Sequence, residues 1–434
     1  MKAMTRNISI LLSLFLVAAC TTWDYPDRFK QTEGLPTIDY VRYADRDVAI
    51  TQAAMEEVIC LVGENLTSIH DLYFNDQAAV LNTSFITEHT LVVSVPKNLP
   101  LEQTDKIYMY NKAGDLATYD FKVLPPAPKV TGMSLEWAQP GETVTITGSY
   151  LFAPLTVEFP GCDPVAISSS DGSFFEVTIP EGAQPGKIKV TTESGVAQSV
   201  FMYKDSRGML FNFDTDPHPA NHGWHAQVIE TDETALSGNF LRLGDPGVTL
   251  DEEGGWNDAN FSFEYWPGDW DEPVTYTDSP LLTSYADFSE WKNMALKFEL
   301  FIPSSNPWKS GAMQLIVAGV DLVTGGGADV PDIYGNITAG ANNMFISGDG
   351  KPMAPRALFR PWTSTGSYDT GDKWVTVTVP YSEFIYNSDG TVNTYEIKPE
   401  TFTSLTIFVW SGGVTGTACN PVIKIDNIRA VPYK

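Results

Sequence analysis

A Pro-Gly turn leads directly into an alternating strand in the segment Pro140-Gly141-Glu142-Thr143-Val144-Thr145-Ile146-Thr147-Gly148. Apolar and polar side chains that alternate with a period of two predict a strand with one buried face. Outward from this segment, the chain continues as short alternating stretches broken by Gly, Pro, Asn and Asp, with almost no helical periodicity. The sequence therefore predicts an all-β protein.

An internal repeat surrounds this segment. Phe74 follows Gly63 after 11 residues, and Phe159 follows Gly148 after the same 11 residues. In both copies an apolar, β-branched strand precedes the glycine, and a β-branched residue followed by proline closes the pattern. The sequence thus contains two units of about 85 residues with one strand plan, which is the size of an immunoglobulin-like sandwich.

The second unit resembles the TIG (IPT) immunoglobulin-like fold. The resemblance covers residues 127–203 and is carried by the segment quoted above, by Val157-Glu158-Phe159 and by Pro185-Gly186-Lys187-Ile188-Lys189-Val190. The first unit, residues 35–124, lacks the Pro-Gly turn before its strand and departs from the TIG pattern there. We expect two immunoglobulin-like spacers in tandem.

The composition changes from about Asp205 onward, where nine of the 11 Trp residues lie. The remaining region, residues 205–434, is larger than an immunoglobulin module and fits a jelly-roll β-sandwich. Its expected first strand, at residues 209–214, and last strand, at residues 422–428, resemble the opening and closing strands of carbohydrate-binding modules. We predict a glycan-binding β-sandwich here.

The N-terminus predicts export and lipidation. Lys2 and Arg6 precede an apolar run of 12 residues, Ile8 to Ala19, which is shorter than the roughly 20 residues of a membrane-spanning helix. The run ends in small residues before Cys20, and this arrangement resembles a bacterial lipobox. We predict a lipoprotein signal at residues 1–19 and a tether at 20–34, against the alternative of an ordinary cleaved signal with an incidental cysteine.

The net charge of −27 makes nucleic acid an improbable partner, because the chain repels phosphate backbones. The sequence has no HExxH, CxxC, GxSxG or GxxxxGK[ST] motif, so the common zinc, redox, serine-hydrolase and nucleotide sites have no support. A neutral ligand remains. Sugar rings offer apolar C–H faces and polar hydroxyl rims, so a neutral glycan requires rigid aromatic platforms with a few polar groups.

Aromatic residues in loops are the first candidates for such a platform, because no strand register buries them. Trp308, Tyr334 and Trp362 lie among turn residues, and Arg360 next to Trp362 is placed to bond hydroxyls. The alternative for each ring is packing beneath its loop.

Strand parity supplies secondary candidates. In residues 405–410 the aliphatic side chains share one face, and Phe408 and Trp410 share the other; Trp374 similarly lies opposite the valines of its strand. Filling of the sandwich core is the alternative that we favour for these rings.

Acidic residues concentrate between residues 230 and 290, with 15 Asp and Glu against one Lys or Arg. Trp256, Trp266 and Trp270 are interleaved with them and join the list of ligand-binding candidates. Carboxylates and loop carbonyls could hold a structural Ca²⁺, although the sequence has no EF-hand pattern and a solvated acidic surface is the default. We expect no catalytic cofactor.

Four stretches of the C-terminal region resemble surface glycan-binding proteins of gut bacterial polysaccharide utilisation loci, in particular the multimodular type B: residues 303–314, 355–362, 408–414 and 425–429. The resemblance implies a non-catalytic outer-membrane lipoprotein on the cell surface. It would capture xyloglucan or a related β-glucan for a neighbouring surface glycosidase and a TonB-dependent transporter.

Two other functions stay open. A glycosidase needs a pair of carboxylates, but the nearest match to the Glu-x-Asp-x-x-Glu strand of laminarinases, residues 230–235, ends in Ala235. A protein adhesin would instead use the immunoglobulin-like units.

Overall fold

The computed structural model describes residues 29–214, 227–266, 280–318 and 353–433, and their regular structure is almost entirely β-strand, as predicted. These residues contain one short α-helix, α1 (Asp258–Phe261), and no helix among them is long and apolar enough to cross a membrane. The chain divides into two compact units, one ending at Ala127 and the other beginning at Pro128. The 3₁₀ helices are Leu66–Ser68, Thr83–Phe85, Leu282–Ser284, Trp291–Asn293, Pro361–Ser364, Tyr381–Glu383 and Pro399–Thr401.

The first unit is a module of three sheets, ordered β2-β1-β4-β7, β10-β3 and β6-β5-β8-β9. Aliphatic residues, two methionines, Phe74 and Phe121 form its core. Its strands are β1 (Thr37–Tyr43), β2 (Ala49–Ile50), β3 (Gln52–Ala54), β4 (Val58–Glu64), β5 (Ile69–Phe74), β6 (Gln77–Ala78), β7 (Thr90–Ser94), β8 (Lys106–Asn111), β9 (Leu116–Asp120) and β10 (Lys122–Leu124).

The second unit begins with another module, whose two sheets are ordered β11-β12-β15 and β14-β13-β16-β17. The Pro-Gly segment enters β12 as predicted, and the strand starts at Thr143. The strands are β11 (Lys129–Met133), β12 (Thr143–Leu151), β13 (Leu155–Glu158), β14 (Val165–Ile167), β15 (Gly172–Thr178), β16 (Lys189–Thr192) and β17 (Gly195–Gln198).

The repeated glycines share one structural reason. A Cβ atom on Gly63 would lie 1.9 Å from the backbone oxygen of Thr37, and one on Gly148 would lie 1.9 Å from that of Lys129. Each glycine is paired in register with the residue just before a β-bulge, Ile38 in β1 and Val130 in β11. Only a residue without a side chain allows these strands to approach so closely.

The C-terminal domain is a sandwich of a six-stranded and a four-stranded sheet. The larger sheet is ordered β19-β20-β27-β22-β25, with β18 also paired to β27, and the smaller is ordered β21-β26-β23-β24. Its strands are β18 (Met209–Phe211), β19 (Ile229–Glu230), β20 (Phe240–Leu243), β21 (Ser262–Tyr265), β22 (Met294–Phe301), β23 (Ala312–Ala318), β24 (Arg356–Phe359), β25 (Val375–Pro380), β26 (Ser404–Trp410) and β27 (Ile423–Pro432).

Strand β22 is buried along its whole length because its two faces pack against different neighbours. Leu296, Phe298 and Leu300 belong to the core between the two sheets of the C-terminal domain. Phe301 faces the other way and shares a core with the second module, together with Phe240 and Trp374. The six-stranded sheet thus lies between the four-stranded sheet and the second module. Trp374 therefore fills a core, as we favoured, and its ring does not form a ligand platform.

Four charged side chains are buried at the same interface. Glu136 of the second module accepts a hydrogen bond from Arg429 (2.9 Å) and one from Lys297. Arg429 also donates to Glu299 (2.7 Å), and all four side chains are at most 5% exposed. We call these four side chains the interface charge cluster. Its two carboxylates and two cations lie within salt-bridge distance of one another, which offsets the high cost of burying each charge alone.

Candidate functional site

The four-stranded sheet of the C-terminal domain has one apolar and one mixed face. Phe263, Leu315 and Ile407 point into the core between the sheets. On the opposite face, Ser262, Phe408, Gln314 and Leu358 form a row across β21, β26, β23 and β24, as the strand register shows. The next row is Glu264, Thr406, Ile316 and Arg356. Of these eight side chains only Ser262 and Leu358 are partly exposed, and the other six are buried. We call this mixed face the outer face.

Three aromatic rings meet at one end of the outer face. The Phe408 and Trp410 rings are stacked, with centroids 5.7 Å apart and planes at 17°. The Trp256 ring stands edge-on to both, at 4.8 Å from Phe408 and 5.2 Å from Trp410. Trp256 is 43% exposed and Trp410 is partly exposed, whereas Phe408 is buried beneath them. We call these three residues the aromatic platform.

A close backbone contact holds Trp256 against the sheet. The loop before α1 approaches β23 so tightly that a Cβ atom on Gly254 would lie 2.6 Å from the Cα atom of Gly311. The oxygen of Gly254 also accepts a hydrogen bond from the nitrogen of Ser411, at 2.8 Å. Since Ser411 directly follows Trp410, this bond fixes the Trp256 loop beside the end of β26. The platform is therefore preformed.

Polar side chains continue the outer face from the platform. Gln314 donates a hydrogen bond to the backbone oxygen of Trp410 at 2.7 Å and accepts one from Arg356 at 2.6 Å. Arg356 is fully buried, and burial lowers the pKa of its guanidinium to about 9, against the opposing influence of Asp389. At neutral pH this side chain remains a largely desolvated cation, which strengthens its hydrogen bonds.

Arg360, which the sequence predicts to bond hydroxyls, lies at the same end of the sheet. Its guanidinium donates a hydrogen bond to the backbone oxygen of Gly412, two residues after Trp410. The side chain is only half-buried, so part of it faces solvent. The structure thus brings Arg360, Trp256 and Trp410 to one end of the four-stranded sheet.

Three predicted platform tryptophans are instead buried, and the expectation of exposed rings was wrong for them. Trp308, Trp362 and Trp266 are 0%, 3% and 1% exposed. Each indole nitrogen donates a hydrogen bond inside the protein. Trp308 donates to the backbone oxygen of Ser310 (2.5 Å), and Trp362 donates to that of Gly311 (2.8 Å). Trp266 donates to the hydroxyl of Thr406 (2.8 Å).

The physical reason is that loops, too, can form core. Trp308 exchanges two backbone hydrogen bonds with Tyr368, at 2.8 and 2.9 Å, which draws its loop onto the sandwich. The rings of Trp308 and Trp362 then fill space at the edge of the core between the two sheets. Two other candidates, Tyr334 and Trp270, lie outside the described residues, as does the lipidation candidate Cys20.

The acidic residues of the glycosidase alternative are held in ion pairs. Glu230 accepts a hydrogen bond from Arg242 (2.7 Å), and Asp232 is paired with Lys424. Burial acts to raise the pKa of Asp232, but hydrogen bonds from Lys424 and Thr234 outweigh it and lower the pKa overall. A carboxyl group with a lowered pKa is a poor general acid.

For the predicted calcium site, the described part of the chain contains no group of three or more His, Cys, Asp or Glu residues arranged around a common point. The acidic stretch includes residues 267–279, which lie outside that part. A structural Ca²⁺ therefore stays a prediction.

Comparison with known proteins extends these observations. A family model described as "Surface glycan-binding protein B xyloglucan binding domain" matches residues 203–432, more than half of the chain. The crystal structure of the surface glycan-binding protein PbSGBP-B from Prevotella bryantii is 43% identical and covers 93% of this chain and 100% of its own, with a TM-score of 0.78.

A protein of Bacteroides ovatus described as "IPT/TIG domain-containing protein" is 28% identical over 152 residues, or 33% of this chain. That match spans only 29% of the curated relative's own length. The whole-length match to the Prevotella structure and the match to the family model carry the assignment. The chain belongs to the surface glycan-binding protein B family.

Proposed function

We propose that the protein is a non-catalytic cell-surface lipoprotein that holds a neutral β-glucan on the aromatic platform. The observation that carries the proposal is the preformed cluster of Trp256, Phe408 and Trp410, with two partly exposed indole rings, inside the domain that matches the family model. Flat aromatic rings remove the apolar faces of sugars from water, and the partly exposed Arg360 beside them is placed to bond hydroxyls.

Xyloglucan is the first ligand to test, because the matching family model is described as a xyloglucan binding domain. Mixed-linkage β-glucan and laminarin are the alternatives within the same class. The net charge of −27 argues against a polyanionic polysaccharide. We expect the remaining predicted partners, a surface glycosidase and a TonB-dependent transporter, to receive the captured glycan.

Isothermal titration of the mature protein with these three glucans tests the proposal. We expect Trp410→Ala and Trp256→Ala each to weaken binding by ~1–3 kcal/mol, because each removes a stacking surface from the centre of the site. Trp291→Ala is the matched control, since that partly buried tryptophan packs against Phe402, away from the platform. Unchanged affinity in both platform variants, with the fold intact, would assign binding to another surface.

Two further measurements separate the alternatives. Release of reducing sugar during prolonged incubation, abolished by a single Asp or Glu substitution, would make the protein a glycosidase. For the anchor, Cys20→Ser should move the protein from the membrane fraction to the soluble fraction and abolish labelling by a fatty acid. Membrane retention of that variant would contradict lipidation at Cys20.

A further inference from the structure

The first module carries aromatic rings on the solvent side of a sheet. Tyr73 on β5 is paired directly with Tyr108 on β8, and Tyr110 is paired with Asp71. The rings of Tyr73 and Tyr110 meet edge-on, with centroids 5.9 Å apart and planes at 86°. All three tyrosines are half-buried, so each ring rests on the sheet and keeps part of its surface in water.

These tyrosines line an open groove of about 610 Å³, which we call the tyrosine groove. Side-chain amides and carboxylates surround the rings, and the groove also includes His70 and Lys112. Its lining contains no aliphatic Leu, Ile, Val or Met side chain. The groove therefore combines flat ring surface with hydrogen-bonding groups.

Two asparagines fix the shape of the tyrosine groove. The side-chain oxygen of Asn75 accepts bonds from the backbone nitrogens of Thr104 (3.0 Å) and Asp105 (2.9 Å). The side chain of Asn111 donates to the backbone oxygen of Gly34 at 3.0 Å and accepts from the backbone nitrogen of Asp115 at 2.9 Å. Because both residues are themselves buried, the groove is rigid without a ligand.

The chemistry of the groove selects a class of ligand. Three carboxylates, Asp71, Asp76 and Glu102, outnumber the single lysine, so an anionic ligand would be repelled. A second groove in this module makes the contrast clear, because valines and Phe85 line it and such a surface suits an apolar protein segment. Phenol rings with polar neighbours suit a neutral, hydroxyl-rich molecule with a flat apolar face.

We propose that the tyrosine groove is a second site for neutral glycan, separate from the aromatic platform. This second-site proposal rests on the proposed function only in its class of ligand, a neutral glycan. Two sites on one chain would strengthen attachment to a long polysaccharide through effective concentration, even where each site alone is weak. A short oligosaccharide occupies one site at a time and would gain nothing from the second.

Affinity electrophoresis of the full mature protein tests the proposal, with xyloglucan, mixed-linkage β-glucan, laminarin and glucomannan in separate gels. We expect the double variant Tyr73→Ala, Tyr108→Ala to reduce the apparent affinity for at least one polymer about tenfold, because the second attachment is lost. Tyr40→Ala is the matched control, because that partly exposed tyrosine lies on β1, in a different sheet of the module. Thermal unfolding establishes that each variant is folded.

A second variant leaves the rings in place. Thr118 is exposed and paired with Tyr108, so Thr118→Arg would lay a long side chain over the groove without removing packed surface. We expect the same loss of polymer affinity as in the tyrosine variant. In a Trp256→Ala, Trp410→Ala background, the remaining binding should disappear when either groove change is added.

The outcomes separate this proposal from the proposed function. If both groove variants were retarded as strongly as the wild type in every gel, the second site would be overturned and the platform would be unaffected. Loss of all binding in the groove variants, with no effect of the platform variants, would overturn the platform and retain the groove. Absence of wild-type retardation in every gel would overturn both. Groove variants that weaken binding of a protein partner but of no glycan would identify a protein-docking surface instead.

Discussion

The two immunoglobulin-like modules share a glycine beside a β-bulge and differ in the contacts that surround each module. Gly63 and Gly148 allow the same close backbone approach beside the same kind of bulge. The first module belongs to a compact unit that ends at Ala127, whereas the second shares a core and four buried charges with the C-terminal domain. A repeat in sequence therefore specifies the sandwich, and a few interface residues decide whether that sandwich is an independent body.

The largest expected effect comes from breaking the interface charge cluster. Arg429→Ala leaves Glu136 and Glu299 buried without their shared cation, which we expect to lower the free energy of unfolding of the second unit by ~3–5 kcal/mol. Differential scanning calorimetry should show a shift only in the transition of residues 128–434. Lys189→Ala is the control, because that lysine pairs with Glu158 and both side chains are partly exposed. An equal shift in both variants would show that burial of the cluster is unimportant.

The next largest loss of stability is expected from substitution of the two repeated glycines. A methyl group on either residue would clash with a backbone oxygen, so we expect Gly63→Ala and Gly148→Ala each to cost ~1–3 kcal/mol. Gly63→Ala should lower only the transition of the first unit. Gly148→Ala should lower the transition of the second module and of the C-terminal domain together. Separate unfolding of those two parts would contradict their coupling.

A pH-dependent effect follows from Asp426 on β27. Burial, reinforced by Glu299 and Asp214 and opposed by Arg429 and the backbone of Asn427, raises the pKa of Asp426 to about 8. The folded state therefore holds a proton that the unfolded state releases near pH 4, and the stability of the second unit should fall as the pH rises from about 4 to 8.

Asp426→Asn tests this dependence, because the amide is neutral at every pH. Denaturant unfolding between pH 5 and 9 should show a flatter profile for this variant than for the wild type. Asp372→Asn is the control, since backbone and side-chain hydrogen bonds from Ser304 lower the pKa of that exposed carboxyl. A wild-type profile in Asp426→Asn would exclude Asp426 as the titrating group.

The smallest effect concerns charges at the surface of the second module. Lys189 pairs with Glu158 across β16 and β13, and both side chains are partly exposed. We expect Lys189→Ala to change the free energy of unfolding by only ~0.2–1 kcal/mol, because water screens the pair. Chemical denaturation measures the difference, and a loss as large as that of Arg429→Ala would remove the distinction between buried and exposed pairs.

Much of the fold could be predicted from local patterns. The Pro-Gly turn before β12, the repeat spacing and the parity of residues 405–410 are properties of neighbouring residues, and the structure confirms each of them. Parity also predicts that Phe408 and Trp410 share a face. The favoured placement in the core is right for the buried Phe408 and wrong for Trp410, which is partly exposed and contacts Trp256 from a distant loop.

The errors came from contacts between residues distant in sequence. Trp308 and Trp362 looked exposed because turn residues surround them, yet backbone bonds to Tyr368 and an indole bond to Gly311 fold both loops onto the core. Likewise, nothing local marks Glu136 as a buried partner of Arg429, since an isolated Glu is most often solvated. Gln314 and Arg356 show no local sequence signal for their mutual hydrogen bond.

The shared core between the second module and the C-terminal domain has a practical consequence for truncated proteins. A fragment cut at residue 205 would expose the rings of Phe240, Phe301 and Trp374, which the second module otherwise covers. Exposed rings of that size promote self-association. A recombinant fragment intended for ligand studies should therefore start near Pro128, so that the module that shields these rings is retained.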